Sequence, residues 1–168
     1  MDASSFKDLN PPERILLGPG PSMLPPRVSQ AMAMPVVGHL DSSFLKVMDD
    51  VKELLRYVFQ TKNEFTIPVS GTGSAGMEAA LSNFIEPGDR VLIAVMGYFG
   101  ERMVEMAGRY GAQVDRLDAE WGEVFEFEAI ANQLKQHPYK FLALVHGETS
   151  AGTLQPNIKE IAKAAHDN

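Results

Sequence analysis

The segment Gly71-Thr72-Gly73-Ser74-Ala75-Gly76 carries the clearest chemical signal in this 168-residue chain. It follows a short apolar run, Phe65–Val69, and opens a stretch of helical character. Glycines so spaced leave backbone N–H groups accessible, and a helix N-terminus adds a favourable dipole for an anion. The hydroxyls of Thr72 and Ser74 supply further donors, so the loop reads as a phosphate cradle. The bland alternative is a Gly-rich turn with Ser74 as the helix N-cap. Because the spacing also fits G-x-G-x-x-G, a dinucleotide site has to be weighed. That site needs an acid about 20 residues on, at the end of the next strand. The next strand ends Val95-Met96-Gly97, without an acid, and Glu101 falls inside the following helix. A Walker A loop needs Lys after its last glycine, where Met77 stands.

Two more loops bring chemically useful side chains to strand ends. In Gly97-Tyr98-Phe99-Gly100 an aromatic is placed either to stack on a flat ring or to pack as a core aromatic at a helix start. In His146-Gly147-Glu148-Thr149, Thr149 offers a hydroxyl to a ligand, and Glu148 is a candidate base or ion-pair partner. His39, after Gly38, reads as a satisfied polar residue. The four histidines, at 39, 137, 146 and 166, lack metal-ligand spacing, and with no cysteine in the chain neither zinc nor a disulfide framework is expected.

The elements that must position these loops alternate. Residues 1–40 are punctuated by Pro11-Pro12, Gly18-Pro19-Gly20-Pro21 and Pro25-Pro26, and read as an extended arm rather than packed helix. Asp41 and Ser42 cap a helix whose apolar residues Leu45, Met48, Val51, Leu55 and Val58 form one stripe, expected to be buried. Strands are expected at Phe65–Val69, Val91–Val95, Val114–Leu117 and Phe141–Val145. Helices are expected at about Ser74–Ile85, Glu101–Tyr110 (ended by Gly111), Phe127–Gln136 and from Ile158. Such alternation means βα units and a mostly parallel sheet, with ligands at the carboxyl ends of its strands.

Composition is that of a globular chain, 45% hydrophobic and 22% charged, with a formal net charge of −7. An acidic chain lacks the electrostatic footprint of a nucleic-acid or anionic-lipid binder. The start, Met1–Asp8, has no apolar core of a secretory signal, and no apolar run approaches the ~18 residues of a membrane span. A cytoplasmic protein is expected.

Taken in order, the motifs resemble those of class V aminotransferases, nearest the alanine–glyoxylate and serine–glyoxylate (serine–pyruvate) branch. The resemblance runs from about residue 14 through Leu17-Gly18-Pro19-Gly20-Pro21-Ser22, Tyr57-Val58-Phe59-Gln60-Thr61 and Ser70-Gly71-Thr72-Gly73. It continues through Met77-Glu78-Ala79-Ala80, Glu86-Pro87-Gly88-Asp89 and Gly97-Tyr98-Phe99-Gly100. It closes with His146–Gly152 and Leu154-Gln155-Pro156. The resemblance implies part of the large domain of a fold-type-I pyridoxal 5′-phosphate (PLP) enzyme: a three-layer α/β/α unit, 41–168, behind the arm 1–40. It implies that Thr72, Gly73 and Ser74 hold the 5′-phosphate, Phe99 stacks on the pyridine ring and Thr149 bonds near its O3′. Gly20, Gly38 and His39 would border the substrate pocket, and the arm would cross onto a second subunit of a homodimer. The implied reaction moves an amino group from alanine or serine to glyoxylate or another small 2-oxo acid.

The family places its Schiff-base lysine and the acid beside the pyridine nitrogen after Gln155-Pro156 and the helix that follows, on later strands. None of the lysines here (7, 46, 52, 62, 135, 140, 159, 163) has the family's Ser-x-x-Lys setting, so no catalytic residue is assigned. The chain is expected to be the N-terminal part of a longer enzyme and inactive alone. Half of a split enzyme, or a non-catalytic module holding PLP or a dinucleotide, are the alternatives. Phe65–Val69 is expected to lack a neighbouring strand.

Overall fold

The computed structural model of the chain describes residues 7–168; the polar start Met1–Phe6 lies outside the described residues. The chain divides into two units, Met1–Pro68 and Val69–Asn168.

The first unit holds two helices, α1 (Pro26–Met32) and α2 (Ser42–Phe59). Helix α1 corrects the expectation of an extended arm through residue 40. It starts where Pro25-Pro26 supply a fixed φ, and a proline at the first helical position forgoes only an N–H that would lack a partner anyway. Helix α2 begins as expected: Asp41 is its N-cap and accepts from the Ser43 N–H at 2.7 Å. Its stripe is not buried, which is a second correction. Met48, Val51 and Leu55 are half-covered, while Leu45 and Val58 are 50% and 68% exposed. The 3.6-residue period selects a face but does not supply anything to cover it.

Phe65–Val69 is not a strand, because no other strand lies alongside to form a ladder.

The second unit contains α3 (Gly73–Phe84), β1 (Arg90–Val95), α4 (Tyr98–Arg109), β2 (Gln113–Asp118), α5 (Phe127–Leu134), β3 (Leu142–Leu144), the short strands β4 (Gly147–Glu148) and β5 (Thr153–Leu154), and α6 (Ile158–Asp167). β1 is central in a three-stranded parallel sheet, order β2-β1-β3. It pairs Arg90–Val95 with Gln113–Asp118 on one side and Leu92–Ala94 with Leu142–Leu144 on the other. Parallel strands need crossovers: α4 links β1 to its neighbour β2, and α5 carries the chain from β2 past β1 to β3. The antiparallel pair β4–β5 is a small hairpin beyond β3 that sequence patterning did not foresee.

Alternation along β1 sends its side chains into two cores. Val91, Ile93 and Val95 pack with Leu81 and Ile85 of the α3 segment and Met103, Met106 and Ala107 of α4. Leu92, Ala94 and Met96 pack with Phe125, with Ile130 and Leu134 of α5, and with Ile161 of α6. Three layers result, as expected for fold-type-I proteins. Helices α3 and α4 are further tied by the Tyr110 hydroxyl, which donates to Glu78 at 2.9 Å. That bond, with burial behind it, raises the Tyr110 phenol above its ordinary 10.0. Gly111 turns the chain out of α4 at φ +83°, and a Cβ there would lie 3.2 Å from the Pro87 Cα. Gln155, fully buried, accepts from the Phe125 N–H (2.9 Å) and donates to its carbonyl (2.8 Å), pinning the segment before α5 to the one before α6.

Two features fix where a ligand can sit. The α3 chain turns at Glu86–Asp89 directly into the start of β1, so α3 runs back from the carboxyl end of the sheet to its amino end. Its N-terminus therefore shares the carboxyl end with that of α4. Moreover, the connections leaving β1 and β3 go to opposite faces, α4 to one and α6 to the other. That divergence opens a crevice between the two strand ends.

Ile93 is fully buried at the centre of this unit. Ile93→Ala should lower the unfolding free energy by about 2–5 kcal/mol, read as a lower urea midpoint at unchanged slope. A shift too small to resolve would contradict a core centred on β1.

Candidate functional site

The first component is the start of α3. Thr72, not Ser74, is the N-cap: its hydroxyl accepts from the Ala75 N–H at 3.2 Å, and its backbone is extended. The N–H groups of Gly73 and Ser74 have no acceptor among the described residues. Thr72, Gly73 and Ser74 are all exposed, and the first turn of α3 carries no acid. A Cβ on Gly73 would meet nothing within 4 Å, so the approach to these amides is open. The loop thus keeps these two N–H groups free of internal acceptors. The strand that a dinucleotide fold needs before such a loop is absent, since Phe65–Val69 forms none.

The second component is the start of α4, which begins at Tyr98, three residues earlier than its pattern predicts. Phe99 therefore lies in the first helical turn, half-buried, with Tyr98 edge-on to it at 5.5 Å between ring centroids. The N-cap is Gly97, which has no side chain to satisfy the free amides.

The third component supplies what Gly97 lacks. Glu148, on β4, is fully buried. Its Oε2 accepts from the N–H groups of Phe99 (3.0 Å) and Gly100 (3.2 Å). Its Oε1 accepts from the Ser150 N–H (3.2 Å) and hydroxyl (2.5 Å), and the Ser150 Oγ accepts from the Tyr98 N–H (2.9 Å). Glu148 is thus neither ion-paired nor open to a substrate as a base, which corrects the roles considered for it. It caps a helix 48 to 49 residues earlier in the chain, with its charge on the positive end of the α4 dipole. The one sequence signal available is weak: a helix opened by Gly97 has no capping side chain of its own, which leaves its first amides open to an acceptor from another segment. Ser150 was missed because its bond to the Tyr98 N–H spans 52 residues.

Within Val69–Asn168 the structure therefore brings Phe99 and Thr149 together through Glu148, with Thr149 exposed on the β4–β5 turn. The α3 start lies at the same end of the sheet. Gly20, Gly38 and His39 belong to Met1–Pro68. Gly20 precedes a cis peptide to Pro21, and Gly38 and His39 lie in the turn whose Gly38 carbonyl accepts from the Asp41 N–H (3.0 Å). All three are exposed. No group of His, Asp and Glu with metal-binding geometry occurs among the described residues. No helix there is long and apolar enough to cross a membrane.

A layered parallel sheet with a phosphate-type loop at its carboxyl edge defines a class of enzyme domain, and the comparisons settle which. Residues 14–168 match the family model "Aminotransferase class-V". The chain belongs to the class V aminotransferases. It is 45% identical over 161 residues to the (S)-ureidoglycine–glyoxylate transaminase of Bacillus subtilis, covering 96% of this chain and 38% of that protein. It is 43% identical to the alanine–glyoxylate aminotransferase of Drosophila melanogaster, covering 90% and 39% respectively. The crystal structure of an alanine–glyoxylate aminotransferase from a Nostoc species superimposes with a TM-score of 0.83 at 54% identity, over 94% of this chain and 42% of that one. The chain thus spans about two fifths of the length of these relatives. The fold is part of a fold-type-I transferase domain, and the cofactor of this family is PLP.

Gly97→Ala should be costly, because its Cβ would fall 2.5 Å from Glu148 Cγ and 2.8 Å from Ser150 Oγ. Gly108→Ala, in the same helix with nothing within 4 Å of the added atom, should instead stabilise slightly. Thermal unfolding should move in opposite directions for the two, by roughly 1–3 kcal/mol of loss for Gly97. Equal shifts would contradict the close approach of Glu148.

Proposed function

We propose that this chain is the cofactor-phosphate-binding portion of a PLP-dependent transaminase that moves the amino group of a small amino acid, such as alanine or serine, to glyoxylate or another small 2-oxo acid. One observation carries the reading. Two helix N-termini meet the carboxyl end of the sheet, and they differ. The amides of α4 are satisfied by the carboxylate of Glu148, while those of Gly73 and Ser74 at α3 are not. An incoming phosphate dianion is therefore directed to α3.

In this reading the Gly73 and Ser74 N–H groups, with the Thr72 and Ser74 hydroxyls, hold the 5′-phosphate. The half-buried Phe99 gives the flat ring a flat apolar partner, and the Thr149 hydroxyl bonds at its O3′ side. Held there, PLP would supply an acceptor for the amino group and an electron sink for the amino acid's α-carbon. The residues of this chain bind and orient. They do not supply the amine that joins the cofactor, because no lysine occurs in the loops after β1, β2 or β3. The glyoxylate specificity is supported by the names of the similar proteins, alanine–glyoxylate and ureidoglycine–glyoxylate aminotransferases. Gly20, Gly38 and His39 are proposed to border the substrate, and a homodimer is the expected assembly.

The double variant Thr72→Ala, Ser74→Ala tests the cradle. Each lost bond to a charged phosphate should cost about 1.5–3 kcal/mol, so PLP binding, followed by its absorbance, should weaken by more than ~100-fold. Unchanged binding would overturn the assignment. The 168-residue chain alone should show no turnover of alanine with glyoxylate; robust turnover would overturn the binding-only role given to its residues.

A further inference from the structure

Glu148 is a fully buried carboxylate that the reaction does not use, and it joins the two loops assigned to the cofactor ring. One oxygen holds the amides of Phe99 and Gly100; the other holds the amide and hydroxyl of Ser150. Ser150 in turn holds the Tyr98 amide. The residue between them, Thr149, is free of these bonds and exposed. No hydrogen bond between the β1 and β3 strand ladders themselves reaches this far, since their pairing stops at Ala94 and Leu144. Beyond that point the Glu148 carboxylate, with the Ser150 hydroxyl it holds, ties one loop to the other. Gly97 shows how tight the fit is, because even a methyl group there would overlap the Glu148 side chain.

We infer that Glu148 is a positioning residue that sets Phe99 and Thr149 at the spacing a bound pyridine ring requires, while leaving the phosphate cradle at α3 untouched. The inference rests on the cofactor reading above. An amide in place of the carboxylate has a single acceptor oxygen and so cannot serve both the α4 amides and the Ser150 amide. Its NH₂ would face an N–H donor. The ring side of the site should loosen, whereas the phosphate side, built from Thr72, Gly73 and Ser74, should not.

The test uses the whole polypeptide that carries this sequence, and compares Glu148→Gln with the parent and with a core variant of equal thermal stability. Two probes are titrated into each: pyridoxal 5′-phosphate, followed by its absorbance, and inorganic phosphate, followed by phosphorus NMR or by competition. E148Q is expected to bind pyridoxal phosphate about tenfold or more weakly, from loss of a charge-assisted bond that orders the loop, and to bind inorganic phosphate as the parent does. The stability-matched variant should bind both as the parent does. If E148Q does not fold, Ser150→Ala takes its place with the same expected split. Equal weakening of both probes, or no change in either, would overturn the positioning role and leave the cofactor reading standing. A parent protein that binds neither probe would overturn both.

Discussion

Burial of β1 on both faces and both edges is the constraint from which the second unit follows. A parallel central strand leaves no polar face, so Val91 through Met96 are all apolar and nearly inaccessible. Each face then needs a helical layer. The only way to reach a parallel neighbour is to cross over the sheet, so every strand delivers its carboxyl end to the same edge. Chemistry collects there because the fold sends loop after loop to one place. At the outer side of β3 the layer is less finished: a groove of about 520 Å³ runs between that strand and α6, lined by Phe141, Leu144, Ile158 and Ile161 among others. None of its lining residues belongs to the start of α3 or of α4.

That edge gathers positive helix ends, and the protein treats them differently. Unmet amides at a helix start attract any anion. At α4 the acceptor is internal and buried, the side chain of Glu148. At α3 the local cap is a single neutral hydroxyl, that of Thr72. An internal carboxylate at both positions would leave nothing for a ligand, and at neither would leave the loops around Phe99 and Thr149 untied.

The sequence revealed this arrangement unevenly, and the unevenness has a physical cause. The Gly71–Gly76 loop, the Asp41 cap and the Gly111 stop were legible because each acts on its own backbone within a few residues. β1 was legible because a doubly buried strand is apolar throughout; the edge strands β2 and β3 are only partly buried, and were read from short apolar pairs and runs lying between helices. Phe65–Val69 has the composition of a strand and, as the resemblance implied, no neighbouring strand to pair with, so it forms no ladder. The stripe on α2 was read correctly as a face and wrongly as buried, since its period does not report what would cover it. Glu148 was the largest miss. Its partners in α4 lie about fifty positions away, and nothing at 146–152 indicates that a carboxylate there will turn inward rather than meet a substrate. The ordered set of motifs, by contrast, identified the family from residue 14 onward.

The long reach of Glu148 also has a consequence for how this unit assembles. The first turn of α4 is completed by atoms that follow it by two strands and a helix. Until β3 has docked beside β1 and the hairpin has closed, the leading amides of α4 have only water to bond. The helix would grow from its interior, around Met103 and Met106 on the sheet, and its first turn would order last. The loop presenting Phe99 would then be the latest part of the sheet edge to acquire a fixed shape, and the first to fray when the hairpin lifts away.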